Sequence, residues 1–358
     1  MSRRVLVVRL DSMGDVLICG PAIRAVAAAA DSVTLLTGPL GEAAGRLLPG
    51  VAEVLSWNCP WIANPAPAVS PDEVADLVAR LASRRFDEAV ILTSFHQSAL
   101  PTALLLRLAG VPRIVASSED YPGSLLDLRL PVAGDGPEPE RMLATVRAAG
   151  FDLPPGDPGT LAVRLPAGDS QGWIESHSPY LVVHPGTTAA ARSYPAELWA
   201  EAVRLLADAG WRVLVTGSAS ERDLVGGIVA SARAGLAGDR AAAVVDLAGA
   251  AELAGLARLL AGADVVLVAN TGPAHLAAAV GTPVVSLFAP VVPALRWAPY
   301  GVPVELLGDQ AAPCRDTRRT VCPVPGHPCL SGVAPTELVA AVERLVGQRT
   351  QSRMAVQL

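Results

Sequence analysis

The sequence predicts an α/β protein made of two tandem domains, each an open sheet of parallel strands. Three observations carry that expectation. Apolar runs short enough to be buried strands alternate with amphipathic stretches of helix length along most of the chain. The alternation is interrupted by Pro/Gly-rich segments at 132–138 and 154–159 and then restarts in the same grammar. The 358 residues, 51% of them apolar and 17% charged, suffice for two cores at roughly 100–200 residues per domain. The domains are expected at 1–165 and 176–347.

Taken in order, Val5-Leu6-Val7-Val8-Arg9-Leu10 reads as a buried strand and residues 16–30 as the helix after it, with a short polar loop, Asp11 to Asp15, between them. Further strands are expected at 32–37 and 88–93, and helices at 71–83, 99–109 and 140–149. The second half opens with a strand at 180–183, then a helix from about Pro195 to Gly210. Strands at 212–216, 243–246, 264–269 and 283–288 alternate with helices around Glu221, at 251–261 and up to Val280. A last helix at 335–346 closes the fold, and the tail from Gln348 is expected to fray.

Composition excludes several functions. The net charge is −6, so there is no basic excess to neutralise phosphates and nucleic acid is not expected as a partner. All 28 basic residues are arginine, so any lysine role in related proteins must fall to a guanidinium. Arg9 and Asp11 end the first apolar run too early for a signal peptide. The most apolar stretch, 265–295, is broken by Asn270, His275 and several Gly and Pro, so no membrane span is expected. A cytoplasmic location follows from these two readings. Five cysteines do not suggest a disulfide framework there.

Three strand-to-helix loops could carry chemistry. In Asn270-Thr271-Gly272-Pro273-Ala274-His275, Thr271 suits a helix cap and Pro273 the first turn. The N–H groups at that helix start would meet an anion, and Gly272 would let a phosphate approach closely. In His184-Pro185-Gly186-Thr187-Thr188, two hydroxyls and Arg192 suit a diphosphate. Taken singly, each loop is equally an ordinary well-capped turn. Two of them in one domain shift the balance towards a nucleotide. The third loop carries Asp15, read either as a carboxylate complementing a helix dipole or as a general base facing a sugar hydroxyl.

The order of these motifs resembles the heptosyltransferase family, glycosyltransferase family 9. Arg9-Leu10-Asp11-Ser12-Met13-Gly14-Asp15-Val16-Leu17 followed by Pro21 resembles its N-terminal signature. His184-Pro185-Gly186, the Tyr194-Pro195-x-Glu197-x-Trp199 stretch, and Thr271-Gly272-Pro273-x-His275-Leu276-Ala277-Ala278-Ala279 with Gly281-Thr282-Pro283 resemble its donor domain. The resemblance implies a GT-B architecture, two Rossmann-like domains with parallel sheets facing across a cleft. It implies an inverting, metal-independent transfer from a nucleotide-diphosphate sugar, typically ADP-heptose, to a glycan or glycolipid hydroxyl, without a cofactor and with peripheral contact to the inner membrane face. On it, Asp15 takes the base role. Thr187, Thr188 and Arg192 take the diphosphate, and Glu221 the ribose. Thr271, Gly272, Pro273 and His275 form the phosphate-facing helix start. Arg9, His96 and Gln97 are the acceptor-side candidates. Asn270 departs from the family, where Asp is common.

Two other readings share the architecture: a nucleotide-sugar epimerase, and a non-catalytic nucleotide-sugar binding protein that needs no base at Asp15. Cys314, Cys322 and Cys329 near His327 invite a zinc reading, but their spacings of seven and six residues exceed the two to four of structural sites, so no metal is expected. Trp199 and Trp211 are expected in the core, and Trp297 near the phosphate-side motif.

Overall fold

The computed structural model describes residues 3–131, 134–165 and 179–356. The chain divides into two compact units, Met1–Arg164 and Leu165–Leu358. The boundary expected between 165 and 176 lies, after residue 165, outside the described residues, as do Val132 and Ala133 of the first Pro/Gly-rich segment.

The first unit holds six strands, β1 (Arg4–Arg9), β2 (Ser32–Thr37), β3 (Glu53–Ser56), β4 (Glu88–Ile91), β5 (Arg113–Ser117) and β6 (Leu128–Leu130). All pair in parallel, in the order β3-β2-β1-β4-β5-β6. Val8 of β1 lies opposite Leu36 on one side and Ile91 on the other. Because helices cover both faces of a parallel sheet, its central strands are continuously apolar; Val5 to Val8 are buried without alternation. The second unit repeats the plan with β7 (Tyr180–His184), β8 (Arg212–Gly217), β9 (Val244–Ala248), β10 (Val265–Ala269), β11 (Val284–Leu287) and β12 (Val304–Leu307), ordered β12-β11-β10-β7-β8-β9. Counted from its own first strand, each sheet reads 3-2-1-4-5-6, the Rossmann order.

The order locates the ligand crevice in each unit. The chain leaves β1 towards β2 and later returns to β4 on the other side, so no crossover covers the carboxyl ends of β1 and β4. The same holds for β7 and β10. Ligands of doubly wound sheets bind at that reversal. Three of the predicted loops follow β1, β7 and β10.

Each unit has its own core. Leu6, Val8, Leu77, Phe86, Leu106 and Ile114 pack in the first, and Leu181, Val183, Val203, Ile228, Leu267 and Leu338 in the second. Trp199 is fully buried with its ring edge-on to Tyr194, centroids 5.2 Å apart, while Trp211 is partly buried against the same core.

Several elements differ from the sequence expectation. The helix expected at 16–30 is two helices, Met13–Leu17 and Gly20–Ala27. Pro21 lacks an N–H, and its ring excludes the preceding turn, which ends the first helix. Asp15 therefore sits inside a helical turn rather than before it. Strands β3, β5, β6 and β12 were not anticipated. Each has five residues or fewer, and β3, β6 and β12 form sheet edges, where polar residues are tolerated and the apolar signal thins. The last helix spans Pro335–Val356 and so continues past Gln348, through the stretch expected to fray.

Candidate functional site

At the carboxyl ends of β1 and β4, the first unit gathers a buried ion cluster. Arg9, the last residue of β1, is fully buried. Its Nη2 donates to Asp15 Oδ1 at 2.9 Å and to Ser94 Oγ at 2.8 Å. Its Nε stands 3.0 Å from Asp11 Oδ2 without hydrogen-bond alignment. Asp11 Oδ1 accepts from Gln97 Nε2 at 2.6 Å, and Gln97 Oε1 accepts from the Ser94 N–H at 2.9 Å. Asp15 Oδ2 accepts from Ser12 Oγ at 2.9 Å. Close behind, the buried Glu138 pairs with Arg141 at 2.7 Å, and Arg141 also donates to the Thr93 carbonyl.

The electrostatics follow from burial. Desolvation opposes the Arg9 charge, but Asp11 and Asp15 outweigh it and raise the guanidinium above its ordinary pKa. Burial raises the Asp11 carboxyl, against the pull of Arg9. Burial also pushes the Cys19 thiol up to about 12. The Asp15 side chain keeps 24% of its surface exposed, the largest share in the Arg9–Asp11–Asp15 trio.

This placement changes two of the acceptor-side expectations. Arg9 is closed off from solvent and spent on two aspartates, so it orients the loop instead of presenting a guanidinium to an acceptor. Both polar ends of Gln97 are likewise engaged, one by Ser94 of its own loop and the other by Asp11 of the loop after β1. His96 is exposed, edge-on to Phe95 with centroids 5.5 Å apart.

In the second unit, the loops after β7 and β10 meet. Arg192 Nη1 donates to the Asn270 carbonyl at 3.3 Å, joining the two predicted loops with one side chain. Thr187 Oγ1 donates to the Ala189 carbonyl at 2.7 Å, and Thr188 is exposed. Thr271 occupies the cap position of the helix Gly272–Ala279 in an extended conformation, but its hydroxyl makes no cap bond. Gly272 is half-buried at that helix start, whereas Pro273 and His275 are buried. The Asn270 side chain explains the departure from aspartate. Its Oδ1 accepts from the Ala289 N–H at 3.4 Å while its Nδ2 donates to the Ala289 carbonyl at 3.5 Å. Only an amide offers both an acceptor and a donor; a carboxylate would meet that carbonyl with a lone pair.

Glu221 follows β8. Its Oε2 accepts from the Ser218 N–H at 2.6 Å and lies 4.0 Å from His184 Nε2, whose Nδ1 is 3.0 Å from Thr216 Oγ1. Burial lowers the pKa of His184, with Glu221 opposing. A cavity of about 380 Å³ is lined by Thr187, Ser193, Tyr194, Glu221, Leu224 and His327 among others. His327 was read with the cysteines; it instead faces the Ala191 carbonyl, with Nε2 at 3.0 Å. Cys314 and Cys329 are buried and Cys322 partly so, and all three are free thiols. Burial and the neighbouring Cys314 and Cys322 push Cys329 up to about 11. No group of three His, Cys, Asp or Glu among the described residues is arranged to hold a metal. No helix among them is long and apolar enough to cross a membrane.

Sequence reading missed Asp11, Ser94 and the Glu138–Arg141 pair as parts of this chemistry. The available signal for the first was a cation and an anion two residues apart at the end of an apolar strand, a spacing that keeps side chains on one face.

Comparison with known proteins settles the family. Residues 74–326 match Glycosyltransferase family 9 (heptosyltransferase). The lipopolysaccharide heptosyltransferase 1 of Pseudomonas aeruginosa is 31% identical over 330 residues, covering 87% of this chain and 86% of that protein. The chain belongs to glycosyltransferase family 9. Its fold is that of solved heptosyltransferases, the GT-B class of two Rossmann-like domains. The E. coli ADP-heptose lps heptosyltransferase II matches with TM-score 0.74 over 97% of this chain and 99% of that one, at 20% identity. A family 9 glycosyl transferase from Veillonella parvula matches with TM-score 0.79 over 97% and 98%, at 14% identity. The resemblance read from the motifs thus holds at the level of family and fold.

One residue of the family motif has a steric reason here. A Cβ on Gly186 would fall inside the Glu221 carboxylate, so alanine must push Glu221 off its cap. Gly186→Ala is expected to destabilise the second unit by about 0.5–2 kcal/mol in denaturant unfolding, the usual cost of a lost cap, since the displaced carboxylate ends a flexible side chain. The penalty should shrink when Glu221 is also alanine, because the two sites then no longer compete for space. An equal penalty in both backgrounds would contradict the steric account.

Proposed function

We propose that this glycosyltransferase moves a heptose from ADP-heptose to a hydroxyl of a glycan or glycolipid acceptor of the cell envelope, with inversion and without a metal ion. The observation that carries the reading is the Arg192–Asn270 contact. It puts the β7 and β10 loops of the second unit together at the sheet reversal, where a doubly wound domain takes its nucleotide. The likeness to a lipopolysaccharide heptosyltransferase and to an ADP-heptose enzyme supports the donor and the acceptor class. A cytoplasmic enzyme touching the inner membrane face peripherally suits such a glycolipid acceptor.

The roles follow from chemistry. The acceptor hydroxyl attacks the anomeric carbon while the Asp15 carboxylate takes its proton, and ADP departs from the opposite face. General-base help is worth about 10²–10⁴-fold. Arg192 and the hydroxyls of Thr187 and Thr188 hold the diphosphate, and the helix starting at Gly272, with Thr271, Pro273 and His275 shaping its first turn, offers N–H groups and its dipole to the growing negative charge. Glu221 accepts from a ribose hydroxyl. An epimerase would use the same donor loops but leave the acceptor side idle.

Three expected outcomes test the proposal. Asp15→Asn should keep ADP binding but lower turnover by at least about 10²-fold; near wild-type turnover with labelled donor and a panel of acceptors removes Asp15 as the base. Arg192→Ala should raise the ADP dissociation constant about ten- to a hundredfold in calorimetry, as charge-assisted bonds are worth about 1.5–3 kcal/mol each. Equal affinities with equal turnover would take Arg192 out of the site. Turnover should persist in EDTA, since arginine and helix N–H groups take the diphosphate charge and the chain contains no Asp-x-Asp triplet. Loss in EDTA with recovery on magnesium or manganese would contradict metal independence.

A further inference from the structure

The ion cluster of the first unit contains one more carboxylate than a positioned base requires. Asp15 needs orientation, and Arg9 Nη2 and Ser12 Oγ supply it, one to each carboxylate oxygen. A carboxylate whose charge is fully offset by a guanidinium is a poor proton acceptor, because the ion pair favours its charged form. In this chain the same guanidinium also faces Asp11, with Nε 3.0 Å from Oδ2. The Gln97 amide holds Asp11 through Oδ1 at 2.6 Å, and the Ser94 backbone holds that amide in turn. One buried cation is thus divided between two anions.

We propose that Asp11 is a positioning residue for the transfer reaction, sharing Arg9 with Asp15 so that Asp15 is held in place yet still takes the acceptor proton. The inference rests on the reading of Asp15 as the base. Every charged or titratable group facing the cluster bears on it. Arg9 comes from β1 and Asp11 and Asp15 from the loop and helix after it. Cys19 follows that helix, its Sγ donating to the Asp15 carbonyl at 3.3 Å. Glu138 and Arg141 come from the helix Glu138–Ala148 and pair with each other. That pair is internally neutral, so the division of Arg9 between two aspartates sets the local balance: one positive charge against two negative. Asp11 and Asp15 thus face one shared cation, and the charge on Asp11 bears on how firmly Arg9 holds Asp15.

Neutralising Asp11 leaves Arg9 to Asp15 alone. In Asp11→Asn the acid limb of kcat/KM against pH should move to lower pH by about one unit, the lower end of the usual effect of one neighbouring charge. Turnover at neutral pH should fall severalfold, with ADP affinity by calorimetry unchanged. Gln97→Met, which removes the amide supporting Asp11 together with its bond from the Ser94 N–H, should move the limb in the same direction by less, and it carries the test if Asp11→Asn does not fold. Asp15→Asn is measured alongside. If Asp15→Asn retains turnover, the base reading fails and this inference with it. If Asp15→Asn is inactive while a folded Asp11→Asn or Gln97→Met keeps the wild-type acid limb, the base reading stands and the role of Asp11 is overturned. A limb moving to higher pH overturns it equally.

Discussion

A chain that winds a parallel sheet outward from its middle must leave the central strands in opposite directions, and no crossover can then close the gap at their carboxyl ends. The polar residues of the candidate site in each unit are found at such a gap. In the first unit the gap between β1 and β4 holds Arg9, Asp11, Asp15, Ser94 and Gln97. In the second, the gap between β7 and β10 holds Arg192 and Asn270. The strands deliver apolar residues to the core until their last position, and the first residues beyond them are free to be charged.

Arg9 shows how narrow that transition is. Val8 is core, and the next residue along the same strand is a fully buried cation. An isolated guanidinium there would carry a large desolvation penalty, and only well-placed opposite charges and hydrogen bonds offset it. Asp11, Asp15 and Ser94 are those partners. The loop geometry and the charge balance are therefore one constraint: the loop must fold so that its carboxylates reach the guanidinium. In the second unit the residue that follows β10 at the gap is neutral: the Asn270 amide satisfies both backbone groups of Ala289.

The class of the fold was legible because central parallel strands are continuously apolar and the loops between them are rich in glycine, proline and small polar residues. The edges were not. Strands β3, β6 and β12 are short and pair on one side only, so their residues answer to solvent as much as to the core. In the site, His184-Pro185-Gly186 and Asn270-Thr271-Gly272 announced themselves by residue type and spacing. Contacts between residues distant in sequence did not. Gln97 meets Asp11 and Arg9 meets Ser94 across 85 or more positions, and nothing in the local pattern encodes those pairings. For that reason Arg9 and Gln97 were placed towards an acceptor, when their polar atoms face inward.

The burial of the thiols has a practical corollary for following this enzyme in solution. Cys19, Cys59, Cys314 and Cys329 are buried, and burial holds Cys19 and Cys59 up near 12 and Cys329 near 11, far from the thiolate form that alkylating dyes require. Cys322 alone keeps some surface. The chain has no lysine, so amine-directed reagents find no ε-amino group. A maleimide fluorophore therefore has one native attachment point on the folded protein, at Cys322 on the core of the second unit.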